Sequence, residues 1–301
     1  MISMDHLKIA ILVHGFAGRP QMMKEVENIL RSSFETPPYH YIYNISYYDS
    51  DFGLNFNLKH DLRTTIFQKD TEETLAHHLF IKIKYLLQEL GNNVIIDFYA
   101  HSMGGLVIRS VLTFLADHDI QENMIRIENG VIRKVFLFGT PNYGTRLAQK
   151  YVNIPADLLL TSFNLLLEIP LNRFTKDDLK LARSQFLQMV PNSSFLKKLN
   201  KKNPFVENAV TWFTIRGSNS KGLLGIVWQP VLFRRFWIDK RFPFIFTGAI
   251  SNDGIVDAER VPLPFATNIT IKDATHMDLL AWESKKAGKK TLSAIKDYIK
   301  S

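Results

Sequence analysis

Ser102 stands in the run Ala100-His101-Ser102-Met103-Gly104, between an apolar stretch and a pattern of helical period. A strand that bends sharply into a helix forces the residue at the bend into an uncommon backbone conformation. Side chains two places to either side then collide unless they are small. Ala100 and Gly104 are the small residues such a bend needs. The bend presents a hydroxyl, and the helix behind it aims its positive N-terminus at the same point. The chemistry on offer is nucleophilic attack by serine, with negative charge developing beside main-chain N–H groups. A hydroxyl also needs a base. Of nine histidines only His276 lies beyond His118, so a downstream imidazole able to take that proton can only be His276.

These residues need elements to hold them. Residues 8–13, KIAILV, are short, continuous and β-branched, as in a buried parallel strand, and they run into His14-Gly15-Phe16-Ala17-Gly18. Further strands are expected at 39–48, at 93–100 leading into the serine, at 134–141, at 209–217 and at 268–273. Helices are expected at 71–90, opened by Thr-Glu-Glu and closed by Gly91, at 103–115, and over 284–301 as a lysine-rich closing helix. Alternating strands and helices with short links predict an α/β fold with a mostly parallel sheet. Residues 145–200 differ, with helical apolar stripes broken at Pro155 and Pro170.

LVHGFAG (12–18), AHSMGGLV (100–107), FGTPNYGT (138–145), SNDGIV (251–256) and THMDLL (275–280) occur in that order and span most of the chain. In them the sequence resembles the α/β-hydrolase superfamily, and within it the bacterial lipases and esterases, triacylglycerol lipases included. MVPNSSFLKKLN (189–200) also resembles a segment of lipase-like members, whereas 145–188 and 218–248 resemble the group only weakly. The resemblance implies a doubly wound sheet with the active site at the carboxyl ends of the strands, and a triad in the order Ser, acid, His. Ser102 is then the nucleophile and His276 the base. Asp253, in Asn-Asp-Gly-Ile-Val, fits the acid turn: the glycine permits a tight bend and the apolar pair re-enters the core. Asp257, four residues on, is the rival acid, and Asp273 is too close to His276 along an extended strand to be an easy partner. The oxyanion donors implied by the resemblance are the N–H groups of Phe16 and Met103. His14 is read as a brace for that loop and His101 as a packing or hydrogen-bonding neighbour. Gly139-Thr140-Pro141 is read either as pocket wall or as a purely structural turn.

The chain of 301 residues is read as one α/β-hydrolase domain, 1–301, with a helical lid or cap at 145–200 and an aromatic-basic insertion at 218–248. An apolar fraction of 46% supports a substantial core rather than disorder. The absence of cysteine excludes disulfides and cysteine-based zinc sites. His77 and His78 are adjacent and cannot share a helix face, and no other metal motif is visible, so neither metal nor cofactor is expected. The N-terminal residues lack a signal-peptide layout, and no run of about 18 uncharged apolar residues occurs. That points to a cytoplasmic or peripheral membrane location, with leaderless secretion giving the same sequence. The net charge of +8 favours anionic surfaces. Within 222–246, Trp228, Phe233, Phe236 and Trp237 interleave with Arg234, Arg235, Lys240 and Arg241, which suits the headgroup boundary of an anionic membrane or a buried hairpin. No nucleic-acid recognition motif accompanies them, and nucleic acid is not an expected partner. The expected activity is hydrolysis of carboxylic esters of lipid-like substrates through an acyl-enzyme, as in a lipase, esterase or phospholipase. An acyltransferase or thioesterase using the same triad is the alternative among enzymes, and a non-catalytic membrane-binding protein on a hydrolase scaffold is the alternative outside them.

Overall fold

The computed structural model describes residues 6–16, 18–47, 65–69, 74–91, 93–115, 131–151, 183–218 and 251–301. Six strands among them form one parallel sheet: β1 (Leu7–Val13), β2 (Tyr41–Ile45), β3 (Val94–His101), β4 (Ile132–Phe138), β5 (Thr211–Ser218) and β6 (Thr267–Lys272). Their order is β2-β1-β3-β4-β5-β6. The described helices are α1 (Lys24–Ser32), α2 (Leu75–Leu90), α3 (Met103–Ser110), α4 (Arg146–Tyr151), α5 (Arg183–Met189), α6 (Ser194–Leu199), α7 (Pro204–Ala209) and α8 (Lys286–Lys300).

Side chains alternate across a strand, and here both sides are buried. Ile9, Ile11 and Val13 join one core with α2 and α3, while Ala10 and Leu12 join a second with α1 and α8. In β4, Val135 and Leu137 fall in the first core and Phe136 and Phe138 in the second. Each of these larger side chains fully removed from water contributes about 1.5–3 kcal/mol before entropy is counted, Ala10 less. Helices on both faces make the sheet doubly wound, as expected. Among the described residues β2 pairs with β1 alone, and its ladder is shorter than the 39–48 expected. Tyr39 turns inward instead, donating its hydroxyl to Asp97 Oδ2 at 2.8 Å and sharing a 2.6 Å hydrogen bond with the Tyr99 hydroxyl.

The topology also sets where a site can form. From β1 the chain passes outward to β2, then returns to the other side of β1 as β3. α1 packs in the second core and α3 in the first. The loops leaving the carboxyl ends of β1 and β3 therefore diverge, and a crevice opens between them. Of the lid expected at 145–200, the described parts add Leu147, Ala148, Phe186, Met189 and Phe195 to the first core. Residues 152–182 and the aromatic-basic segment 222–246 lie outside the described residues. No helix among the described residues is long and apolar enough to cross a membrane.

Candidate active site

Ser102 follows β3 and caps α3 with φ 53° and ψ −128°. A positive φ at a non-glycine residue is strained and is held only where its surroundings over-determine it. Part of that constraint is the close fit of α3 behind the loop after β1. A Cβ on Gly104 would lie 2.2 Å from the His14 carbonyl oxygen. The serine is 8% exposed, at the mouth of the helix N-terminus.

The loop after β1 is pinned through one carbonyl. Gly15 O accepts hydrogen bonds from the Tyr47 hydroxyl at 2.9 Å, His14 Nδ1 at 2.9 Å and the Gly18 N–H at 3.1 Å. A trans peptide sets its N–H opposite its C=O, so fixing this carbonyl also fixes the direction of the Phe16 N–H. Burial pushes the His14 imidazole down to about 4. The ring is neutral above that pH, and donation from Nδ1 leaves Nε2 to accept from the Ser46 hydroxyl at 3.3 Å. Met103 opens α3, and the N–H of a first helical residue has no acceptor within its own helix. Phe16, on the loop after β1, and Met103, at the start of α3, thus come from the two segments that meet at the switch point.

His276 and Asp253 are brought together. His276 Nδ1 lies 2.7 Å from Asp253 Oδ2, and both side chains are almost fully buried. Asp253 Oδ1 accepts from the N–H groups of Ile255 (3.0 Å) and Val256 (2.7 Å). The main chains are tied as well, His276 N–H donating to Asp253 O at 2.8 Å. Asp257 is held elsewhere, between Arg146 Nε at 3.6 Å and Arg260 Nε at 3.3 Å. Asp273 follows β6 in a left-handed conformation, φ 64°, with no hydrogen bond to the imidazole. Ser102 and His276 line one small apolar cavity of about 30 Å³ together with Phe16, Phe186, Met189 and Ile255. No hydrogen bond joins the serine hydroxyl to the imidazole; such contacts commonly tighten only when substrate is bound.

Three residues support the site: two, Gly139 and His101, in roles that the sequence already offered among its alternatives, and one, Tyr47, that it did not. Gly139 has φ 58°, and a Cβ there would sit 2.9 Å from His276 Nδ1 and 3.1 Å from Asp253 Oδ2. The glycine backs the His–Asp pair, while its neighbour Pro141 lines the cavity. His101 donates from Nε2 to the His276 carbonyl at 3.1 Å, with the two rings 4.5 Å apart. Burial holds His101 well below the usual histidine range. Tyr47, at the far end of β2, carried no sequence signal for its grip on the loop after β1.

Residues 3–210 match the family described as "Putative serine esterase (DUF676)". The chain belongs to this family. Membership places it among the esterase-type hydrolases. Solved structures agree on the fold. The mature form of Bacillus licheniformis lipase BlEst2 is 17% identical, with a TM-score of 0.52 over 99% of this chain and 93% of that one. Its propeptide form is 16% identical, with a TM-score of 0.53 over 97% of this chain and 50% of that one. Phospholipase PlaB from Legionella pneumophila is 14% identical, with a TM-score of 0.50 over 85% of this chain and 45% of that one. At these identities the likeness is one of α/β-hydrolase architecture. No curated protein matches the sequence.

Proposed function

We propose that this family member hydrolyses carboxylic esters of lipid-like substrates through an acyl-enzyme on Ser102. The observation that carries the reading is the 2.7 Å contact between His276 Nδ1 and Asp253 Oδ2, with His276 lining the same cavity as the strained Ser102. Ser102 Oγ attacks the ester carbonyl carbon while His276 Nε2 takes its proton. The carbonyl oxygen becomes an oxyanion facing the N–H groups of Phe16 and Met103, each such donor typically worth about 100- to 1000-fold in rate. Collapse expels the alcohol, protonated by the imidazolium. Water, deprotonated by the same imidazole, then attacks the acyl-enzyme and frees the carboxylic acid. Asp253 fixes the tautomer, keeping the Nδ1 proton on its own side and Nε2 open towards the serine. The names of BlEst2 and PlaB, a lipase and a phospholipase, and the apolar lining of the cavity support a substrate with an acyl chain.

The test is Ser102→Ala against a panel of short- and long-chain esters, with fluorophosphonate labelling of the parent protein. Labelling at Ser102 and a fall in kcat on the order of 10⁴-fold or more are expected. Hydrolysis of the preferred ester by the pure variant would overturn the assignment.

A further inference from the structure

A second, larger cavity of about 430 Å³ lies apart from the serine. Its wall includes Trp212, the second residue of β5, and Phe265, just before β6. It therefore sits at the amino ends of the strands, whereas Ser102 and His276 follow the carboxyl ends of β3 and β6. Its volume falls within the range of about 300–1,000 Å³ typical of small-molecule sites.

The wall has two characters. Val206, Trp212 and Phe265 make one part apolar, with the Trp212 and Phe265 rings 5.7 Å apart, edge to face. Arg109, Lys201 and Lys202 make the other cationic. Arg109, at the end of α3, is 4% exposed. It donates to Asn142 Oδ1 at 3.0 Å, Leu199 O at 3.3 Å and Asn200 Oδ1 at 2.8 Å, all neutral acceptors. No carboxylate among the described residues forms an ion pair with it. Those three bonds use three of the five guanidinium N–H groups, leaving Nε and one on Nη1. Glu207 is the one acidic side chain in the described wall, and it accepts from the Asn203 N–H at 3.0 Å. Three cations thus stand against one carboxylate, and a buried cation without a paired anion is an unbalanced cost to the fold. Desolvation lowers the Arg109 pKa to about 10, with Tyr143 and Glu207 only partly opposing it.

We propose that this cavity binds an amphiphilic anion, a carboxylate or phosphate head on an apolar chain, with the head against Arg109, Lys201 and Lys202 and the chain along Val206, Trp212 and Phe265. The site is separate from the ester chemistry at Ser102 and does not depend on it. A fatty acid and an alkyl phosphate share the chemistry, and the test distinguishes them.

Arg109 also clamps the carboxyl end of α6, so its removal endangers folding, whereas Lys201 and Lys202 are exposed and can be changed safely. The experiment titrates decanoate, decyl phosphate and decanol into the Ser102→Ala protein by calorimetry at low salt. In parallel, quenching of Trp212 emission by bromine-labelled decanoate is followed, with Trp212→Phe as the control. Saturable binding of one or both anions is expected, with the tighter head group identifying the natural class. Quenching should disappear in Trp212→Phe. Affinity should fall about tenfold or more in Lys201→Glu/Lys202→Glu, as expected for a charge-assisted contact replaced by repulsion. Decanol binding as tightly as the anions, Trp212 emission unaffected by the bromine label, or unchanged affinity in the lysine variant would each overturn the proposal. Because every arm uses protein lacking the serine hydroxyl, failure here is distinct from failure of the esterase assignment.

Discussion

Asp253 uses both carboxylate oxygens, one on the imidazole and the other on two main-chain N–H groups. Replacing it with Asn keeps the shape but lets the ring adopt the wrong tautomer, so Asp253→Asn is expected to lower kcat by about 10⁴-fold. Asp257→Asn, whose carboxylate pairs among the described residues with Arg146 and Arg260, should leave kcat within about tenfold of the parent, because those ion pairs are partly exposed and do not include the imidazole. Steady-state kinetics of the two variants side by side checks both outcomes. The sequence left these two acids open because one lies in and the other just after the same tight turn, and only the path of the chain decides which reaches His276. His101 belongs to the same comparison. Its Nε2 supports the carbonyl of His276 from across the sheet, a contact between residues far apart in sequence. His101→Phe retains a ring but strands that carbonyl, and a kcat lowered by about tenfold or more with KM little changed is expected. His101→Gln restores a donor and should recover most of the loss, which a purely space-filling role would not produce.

The elements that carry the site were legible where their pattern is local. β1, β3, β5 and β6 lie within one or two residues of the expected ranges; for β1, β3 and β5 burial on both faces leaves a nearly unbroken apolar signal, whereas the exposed edge strand β6 shows only the alternation of Ile269 and Ile271 with polar residues. The helix expected at 71–90 is described from Leu75, capped by the Thr74 side chain and closed at Gly91 with φ 80°. The helix expected at 103–115 is α-helical only to Ser110 and then widens to π geometry through Val111–Leu115, which no periodicity announces. The need for a small residue at Gly104 was legible from the bend, but its partner, the His14 carbonyl on the loop after β1, was not. Gly104→Val should therefore destabilise the protein by about 1–3 kcal/mol or more, read as a lowered Tm, and should abolish turnover in whatever protein remains folded. α5 supplies a different test. Phe186 is 2% exposed, its ring lies tilted 4.7 Å from that of Phe16, and it walls the small cavity beside Ser102. Phe186→Ala is expected to cost about 3–5 kcal/mol in urea unfolding while raising kcat/KM for bulky acyl groups relative to short ones.

Two buried neutral imidazoles bear on the stability of the whole protein. His14 titrates at about 4 when folded and near 6.5 when unfolded, so between those values the unfolded chain binds more protons. Stability is then fully present above about pH 6.5, is lost as pH falls through the window, and levels off below about pH 4, His14 alone accounting for about 3 kcal/mol. His101 acts in the same direction. Urea midpoints measured from pH 7 to pH 4 should fall steeply, and less steeply in His14→Gln. The proposed reacting groups are also spread along the chain, on loops after β1, after β3 and after β6, and β6 lies at the edge of a sheet whose neighbours all pair in parallel. Parallel pairing joins distant segments and is slow to form. During refolding from denaturant, helical signal should therefore return well before any ester is cleaved, and the lag in product formation times the docking of the last strand.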